Sequence, residues 1–239
     1  MDVGKAFTYQ TEDSEWVTKL ILGAVITFIP VVNLAWAGYI TAIQRNVVAR
    51  NPQPLPRWDN FGKFFTDGLI VSISHIIYAL PGVFLFFVPF FFLILPAFAK
   101  DSRTQAILGT IGGGIGLLLF GLMLIYLLAF SFLLPAIQLN FARYGTFGSC
   151  FQLGQILSIA TANLGDYVIA WIVSIGAFVV VFGVLGFVIS ALNFIPCLGT
   201  IISLLFIPVS FFVSAWLTTT YAHLFGQVGQ VTYGAVATA

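Results

Sequence analysis

The side chains that could do chemistry in this chain are few and far apart. Its 239 residues include nine Lys and Arg, eight Asp and Glu, two His and two Cys. His75 and His223 each stand alone inside an apolar stretch. A lone histidine there hydrogen-bonds a neighbouring helix more readily than it ligates a metal or pigment, because a structural metal site needs several converging ligands. Asn33 and Asn193 each lie within a few residues of a proline break. They serve either as turn hydrogen-bonding residues or, as in transporters with discontinuous helices, as a polar intramembrane site. Asp67 and Asp166 fall near expected helix starts, where a carboxylate complements the N-terminal end of the dipole. Cys150 and Cys197 cannot build a disulfide framework and read as small apolar residues among helices. No carboxylate pair, nucleophile with a base, phosphate-cradling glycine loop or metal-ligand cluster occurs at usable spacing. The sequence therefore predicts no catalytic residue, no cofactor and no metal, and a chain that is not an enzyme. Asn33, His75, Asn193 and His223 remain as candidate polar positions inside the membrane.

The elements that must hold these residues are set by where charge is missing. No Asp, Glu, Lys or Arg follows Asp166, and upstream the charges form short islands between apolar runs. Mean hydropathy is +1.06, and 7% of residues are charged, against roughly a quarter in soluble domains. Charge at the hydrocarbon centre costs several kcal/mol or more, so this pattern is what a bilayer demands. A formal charge of +1 provides no field for nucleic acid.

The expected fold is all-α: a polytopic transmembrane bundle of about six membrane helices, with one amphipathic connecting helix. Pro-broken turns are expected near 30, in Phe28-Ile-Pro-Val-Val-Asn33, and near 196, in Phe194-Ile-Pro-Cys-Leu-Gly199. Proline removes a backbone donor and disfavours helix in the residue before it. The first break leaves a helix from Trp16 to Ile29, about 21 Å long and too short to cross upright. Its partner runs from about Val32 to Ala49. Residues 61–98 read as one kinked span, a hairpin being the alternative. Gly112 and Gly116 stand in the small-xxx-small register of membrane helix packing. Residues 140–166 set Ser149, Gln152, Gln155 and Ser158 opposite an apolar face, the pattern of an in-plane helix or, since the usual basic face is lacking, of a connector packed on the bundle end. Trp16, Trp58, Trp171, Tyr144 and Tyr167 read as an interfacial belt.

The chain is expected to be a single integral membrane domain over 1–239, with a polar N-terminal arm at 1–15 and an uncharged C-terminal tail at 226–239. If Trp16 to Ala49 is a hairpin, Lys5, Lys19, Arg45, Arg50, Arg57, Lys63 and Arg143 share one side, against Lys100 and Arg103. That bias places both termini in the cytoplasm.

Several phrases occur together: Ala6-Phe-Thr-Tyr9 with Asp13 and Trp16, Phe28-Ile-Pro30, Leu55-Pro-Arg-Trp-Asp-Asn-Phe61, Asp67-Gly68, Gly165-Asp-Tyr167 and Ala222-His-Leu-Phe-Gly-Gln227. With them the chain resembles a family of uncharacterised polytopic membrane proteins of bacteria and archaea, designated a domain of unknown function. The resemblance implies a prokaryotic inner-membrane protein and carries no reaction, ligand or binding residue. The function expected is therefore that of a non-enzymatic structural, accessory or membrane-shaping subunit, with the lipid bilayer and a homo-oligomer or larger membrane complex as partners and no nucleic acid. The alternative is a transporter or channel for a neutral or lipophilic solute.

Overall fold

The computed structural model describes residues 1–194 and 198–237, and every described element is helical. The Pro-broken turn expected near 196, with Cys197, lies outside the described residues. Eight α-helices follow one another: α1 (Val3–Thr8), α2 (Trp16–Phe28), α3 (Leu34–Val48), α4 (Phe61–Ile94), α5 (Ser102–Tyr144), α6 (Leu153–Ala162), α7 (Leu164–Leu192) and α8 (Leu198–Ala237). Four of them, α4, α5, α7 and α8, are long and apolar enough to cross a membrane, which makes this a multi-pass membrane protein. The expected count of about six membrane helices is not reached by full-length spans, because α2 and α3 have only 13 and 15 residues.

The reason for that shortfall lies at Pro30. Helix α2 ends at Phe28, and the chain turns through residues 29–33 with Val31 in the left-handed region (φ 70°). By contrast, Pro81 and Pro89 lie inside the continuous α4, so residues 61–94 form one helix and not a hairpin. The uncharged tail does not fray: α8 runs on through Ala237.

The described chain divides into two compact units, residues 1–72 with 136–239 and residues 73–135. In the first, α8 is the central helix, packed by α1, α2, α3 and α7. Its core joins Leu20, Tyr39, Ile43, Val47, Phe64 and Ala222. Helices α3 and α4 cross at Gly38 and Gly68, where a side chain on either would strike the other helix's backbone, at the carbonyls of Phe64 and Leu34. Tyr39 packs with Trp36 (5.2 Å) and Trp58 (4.4 Å), which also lie 6.2 Å from one another, and Tyr167 is fully buried. Trp58 and Tyr167 are thus packing residues. Position along the chain cannot separate packing from an interfacial belt, since both need an aromatic ring beside a polar handle.

The second unit is an antiparallel pair formed by the distal part of α4 and the proximal part of α5. Pro96 sits in the 3₁₀ turn between them, and the Asp101 carboxylate accepts from the Thr104 N–H at 2.8 Å to start α5. That bond holds the Asp101 carboxyl below its usual pKa. Gly112 lies against the Phe92 carbonyl and Gly116 beside Leu93, while Tyr126 donates to the Tyr78 carbonyl. Outward residues are almost wholly apolar, with Phe84 68% and Leu117 75% exposed.

Candidate functional site

The polar chemistry of the first unit gathers where its short helices meet the loops and the N-terminal arm. Lys19, in the first turn of α2, donates to Asp13 at 2.6 Å and to the Leu55 carbonyl at 3.2 Å. Both side chains of this ion pair are only 9% exposed. The loop from 49 to 57 is bound over the pair by Asn46 donating to the Pro54 carbonyl (2.9 Å) and Trp58 donating to the Lys19 carbonyl (3.2 Å). A cavity of about 410 Å³ opens here beside Asp13, Glu15, Lys19, Asn46 and Arg57. Two acids face two bases, so the cavity presents no net charge. Arg57 and Glu15 are 3.9 Å apart and largely solvated, a pair that contributes little.

A second ion pair joins three helices. Arg45 of α3 pairs with Asp67 of α4, donates to the Ala142 carbonyl of α5 at 2.8 Å, and lies over the Phe141 ring at 5.4 Å. Asp67 is therefore a side-chain partner and not simply a dipole-complementing residue. Beside it lies an amide–hydroxyl network. Gln138 donates to Thr41 at 3.1 Å and accepts from Tyr221 at 3.2 Å and from Gln44 at 3.5 Å. Gln44 is fully buried, and its Oε1 has no protein partner.

The arm and the tail close this end. Gln10 donates to Thr219 and Thr220 (3.2 and 3.0 Å), and Tyr9 donates to the Thr219 carbonyl at 3.0 Å. Burial pushes the Tyr9 phenol well above its ordinary pKa. Gln227 exchanges two hydrogen bonds with the Asp2 backbone (2.6 and 2.9 Å). Gln230 donates to the Val47 carbonyl, and Tyr233 to the Leu139 carbonyl at 3.2 Å. The uncharged tail is therefore folded against this chain's own α3 and α5.

The candidate polar positions fall in different places. His223 is stacked on Tyr9 at 4.2 Å, and its Nδ1 lies 3.0 Å from the Gln227 amide. It belongs to the contact between arm and tail. Asn33 is exposed at the tip of the α2–α3 turn and makes no cap bond to α3. Asn193 is exposed and donates to the Ile189 carbonyl of its own helix at 2.8 Å. His75 lies in the second unit with Nε2 buried and without a partner. No hydrogen bond joins any two of these four among the described residues, which also contain no three His, Cys, Asp or Glu grouped to hold a metal ion. Sequence reasoning overlooked Asp13, Lys19, Gln44 and Gln138. Their signal was present, since Lys19 and Gln44 interrupt apolar runs, but a membrane-flanking residue interrupts them in the same way.

Helical throughout its described length, and with four helices of membrane-crossing length, the chain is of the multi-pass helical membrane class. Residues 21–194 match the family described as "Protein of unknown function (DUF4013)", and the chain belongs to that family. No curated protein and no solved structure matches it.

Proposed function

We propose that this protein is a non-enzymatic, membrane-shaping structural component of a prokaryotic inner membrane. The observation that carries the reading is the α2–α3 hairpin. Its arms of 13 and 15 residues extend about 20 and 22 Å, short of the roughly 30 Å of hydrocarbon in a bilayer. Its tip is largely apolar and uncovered, with Phe28 64% and Val31 66% exposed and Asn33 the exposed polar residue among them. Its base is fixed by the Lys19–Asp13 and Arg45–Asp67 pairs. Such a hairpin fills one leaflet and ends inside the membrane, and with the four full spans it makes six inserted helices. Helix α6 adds volume in the same leaflet by lying in its plane. Unequal volume in two leaflets bends a bilayer.

The excess of Lys and Arg at the hairpin base supports a cytoplasmic position for that end and both termini. The bare apolar surface of the second unit suits lipid and further copies of the chain. Reconstitution into vesicles tests the reading: the protein should narrow or tubulate them, and Phe28→Ser with Val31→Ser should weaken the effect while leaving the helix content unchanged. Vesicles of unaltered diameter at every protein-to-lipid ratio, together with a strictly monomeric mass, would falsify it.

A further inference from the structure

Arg143, in the last turn of α5, is an exposed side chain, and among the described residues no carboxylate lies within ion-pair distance of it. Lys5, Lys19, Arg45 and Arg57 each have such a partner. Arg143 is nonetheless held in place, its guanidinium carbon 4.3 Å from the centre of the Tyr233 ring and 5.3 Å from that of Tyr144. Tyr233 is fixed in turn by its bond to the Leu139 carbonyl.

Two cavities meet at Arg143 and Tyr233. One, of about 200 Å³, is lined also by Asn140, Tyr144, Gln155, Ser158 and Thr232. The other, of about 230 Å³, reaches Arg45, Val48 and Leu139. Among the described residues no carboxylate lines either, and Arg45 is already neutralised by Asp67. The first cavity therefore presents a positive charge with amides and hydroxyls around it.

Its depth follows from α6. That helix buries Ile156, Ile159 and Ala160 against the protein. At 100° per residue, Leu153 and Leu157 fall on one flank of that buried face and Gln155 and Ser158 on the other. Both leucines are exposed. A helix apolar on one flank and polar on the other sits at the boundary between hydrocarbon and headgroups. The cavity opens on the polar flank, at headgroup level.

We propose that this cavity binds the phosphodiester headgroup of an anionic phospholipid, with Arg143 on the phosphate and Tyr144, Gln155 and Ser158 on headgroup hydroxyls. The guanidinium presents a planar fork of donors matched to phosphate oxygens, and stacking on tyrosine pre-organises it. The volume lies below the roughly 300–1,000 Å³ of sites that enclose drug-sized ligands. A headgroup enters while its acyl chains stay in the bilayer. The proposal needs the membrane setting of the chain but not its shaping role.

The full chain, purified in mild detergent, would be titrated by native mass spectrometry with phosphatidylglycerol, with phosphatidylcholine, and with soluble glycerol phosphate. Phosphatidylglycerol should bind preferentially, and Arg143→Gln should weaken it about five-fold, the worth of one basic side chain near an anionic surface. Ser158→Asp, at an exposed position, keeps Arg143 but adds a carboxylate to the cavity and should weaken binding at least as much. That variant decides the matter if Arg143→Gln does not fold. Arg103→Gln, in the first turn of α5, should change nothing. Equal binding of the two lipids, or binding unaltered in Ser158→Asp, overturns the proposal. So does saturation by glycerol phosphate at the lipid's affinity, which would make this a site for a free anion.

Discussion

The first unit buries two ion pairs and an amide–hydroxyl network among its helices, while the second joins two longer helices through glycine contacts and the Tyr126 hydrogen bond. Both face an apolar solvent. In lipid there is no hydrophobic drive to press helices together, because the tails are as apolar as leucine. Specific association must then come from polar pairs or from close backbone packing. The first unit uses polar pairs where its helices are too short to be held by the bilayer on both sides. The second unit is made of parts of α4 and α5, whose full lengths are 34 and 43 residues, or about 51 and 64 Å of helix, and the bilayer itself fixes the direction of helices that long. The contrast suggests that polar groups were placed where membrane thickness could not define the geometry.

The sharpest way to break this comparison is to unpair a buried charge. Asp13→Asn leaves Lys19 buried against a neutral amide and should cost about 3–5 kcal/mol, read as a lowered Tm in detergent. Replacing both residues by apolar ones of similar size should recover most of it. A next test adds a single methyl group to each unit. Gly38→Ala drives a Cβ into the Phe64 carbonyl and should cost about 1–3 kcal/mol. Gly113→Ala meets nothing within 4 Å and should leave the Tm unchanged. Equal losses at the two positions would remove the distinction between the units.

Smaller effects sharpen it further. Gln138→Leu strands Thr41, Gln44 and Tyr221 and should cost about 1–3 kcal/mol. Tyr126→Phe in the second unit should cost only about 0.6 kcal/mol, the average for hydrogen bonds between membrane helices. Paired thermal melts would show the difference. The least effect concerns Tyr9. Its pKa is raised above the ordinary 10.0, so the folded protein favours the protonated phenol. Its contribution is complete below pH 10 and is lost as pH rises through the folded value. Tyr9→Phe should flatten that alkaline loss in a Tm-versus-pH series.

Much of the helical framework was legible because hydropathy and proline act locally. The break at Pro30 could be read because Asn33 follows it within one turn and the helix before it is short. The continuity of 61–94 was less legible, since Pro81 and Pro89 carry the same local signal as Pro30 yet do not interrupt the helix. What differs is context: residues 29–33 connect two helices folded back on one another, whereas α4 continues as one helix through both prolines. The four candidate polar positions were chosen for being polar within apolar runs. His223 met Tyr9, but Asn33 is exposed at its turn and Asn193 bonds to its own helix. Which polar residues converge depends on helix rotation and register, and 73 uncharged residues after Asp166 offer almost no periodic contrast from which to read either.

By itself the sequence determined the solvent, the helical class and the first break, because each follows from single residues or short windows weighed against the hydrocarbon. The tertiary structure alone decided that Lys19 meets Asp13, that Arg45 meets Asp67, and that the uncharged tail folds on its own chain. It also set Arg143 between two cavities with no carboxylate partner among the described residues. These are long-range pairings among residues that look alike along the chain, and only the packing of helix against helix selects one set from the many that composition allows.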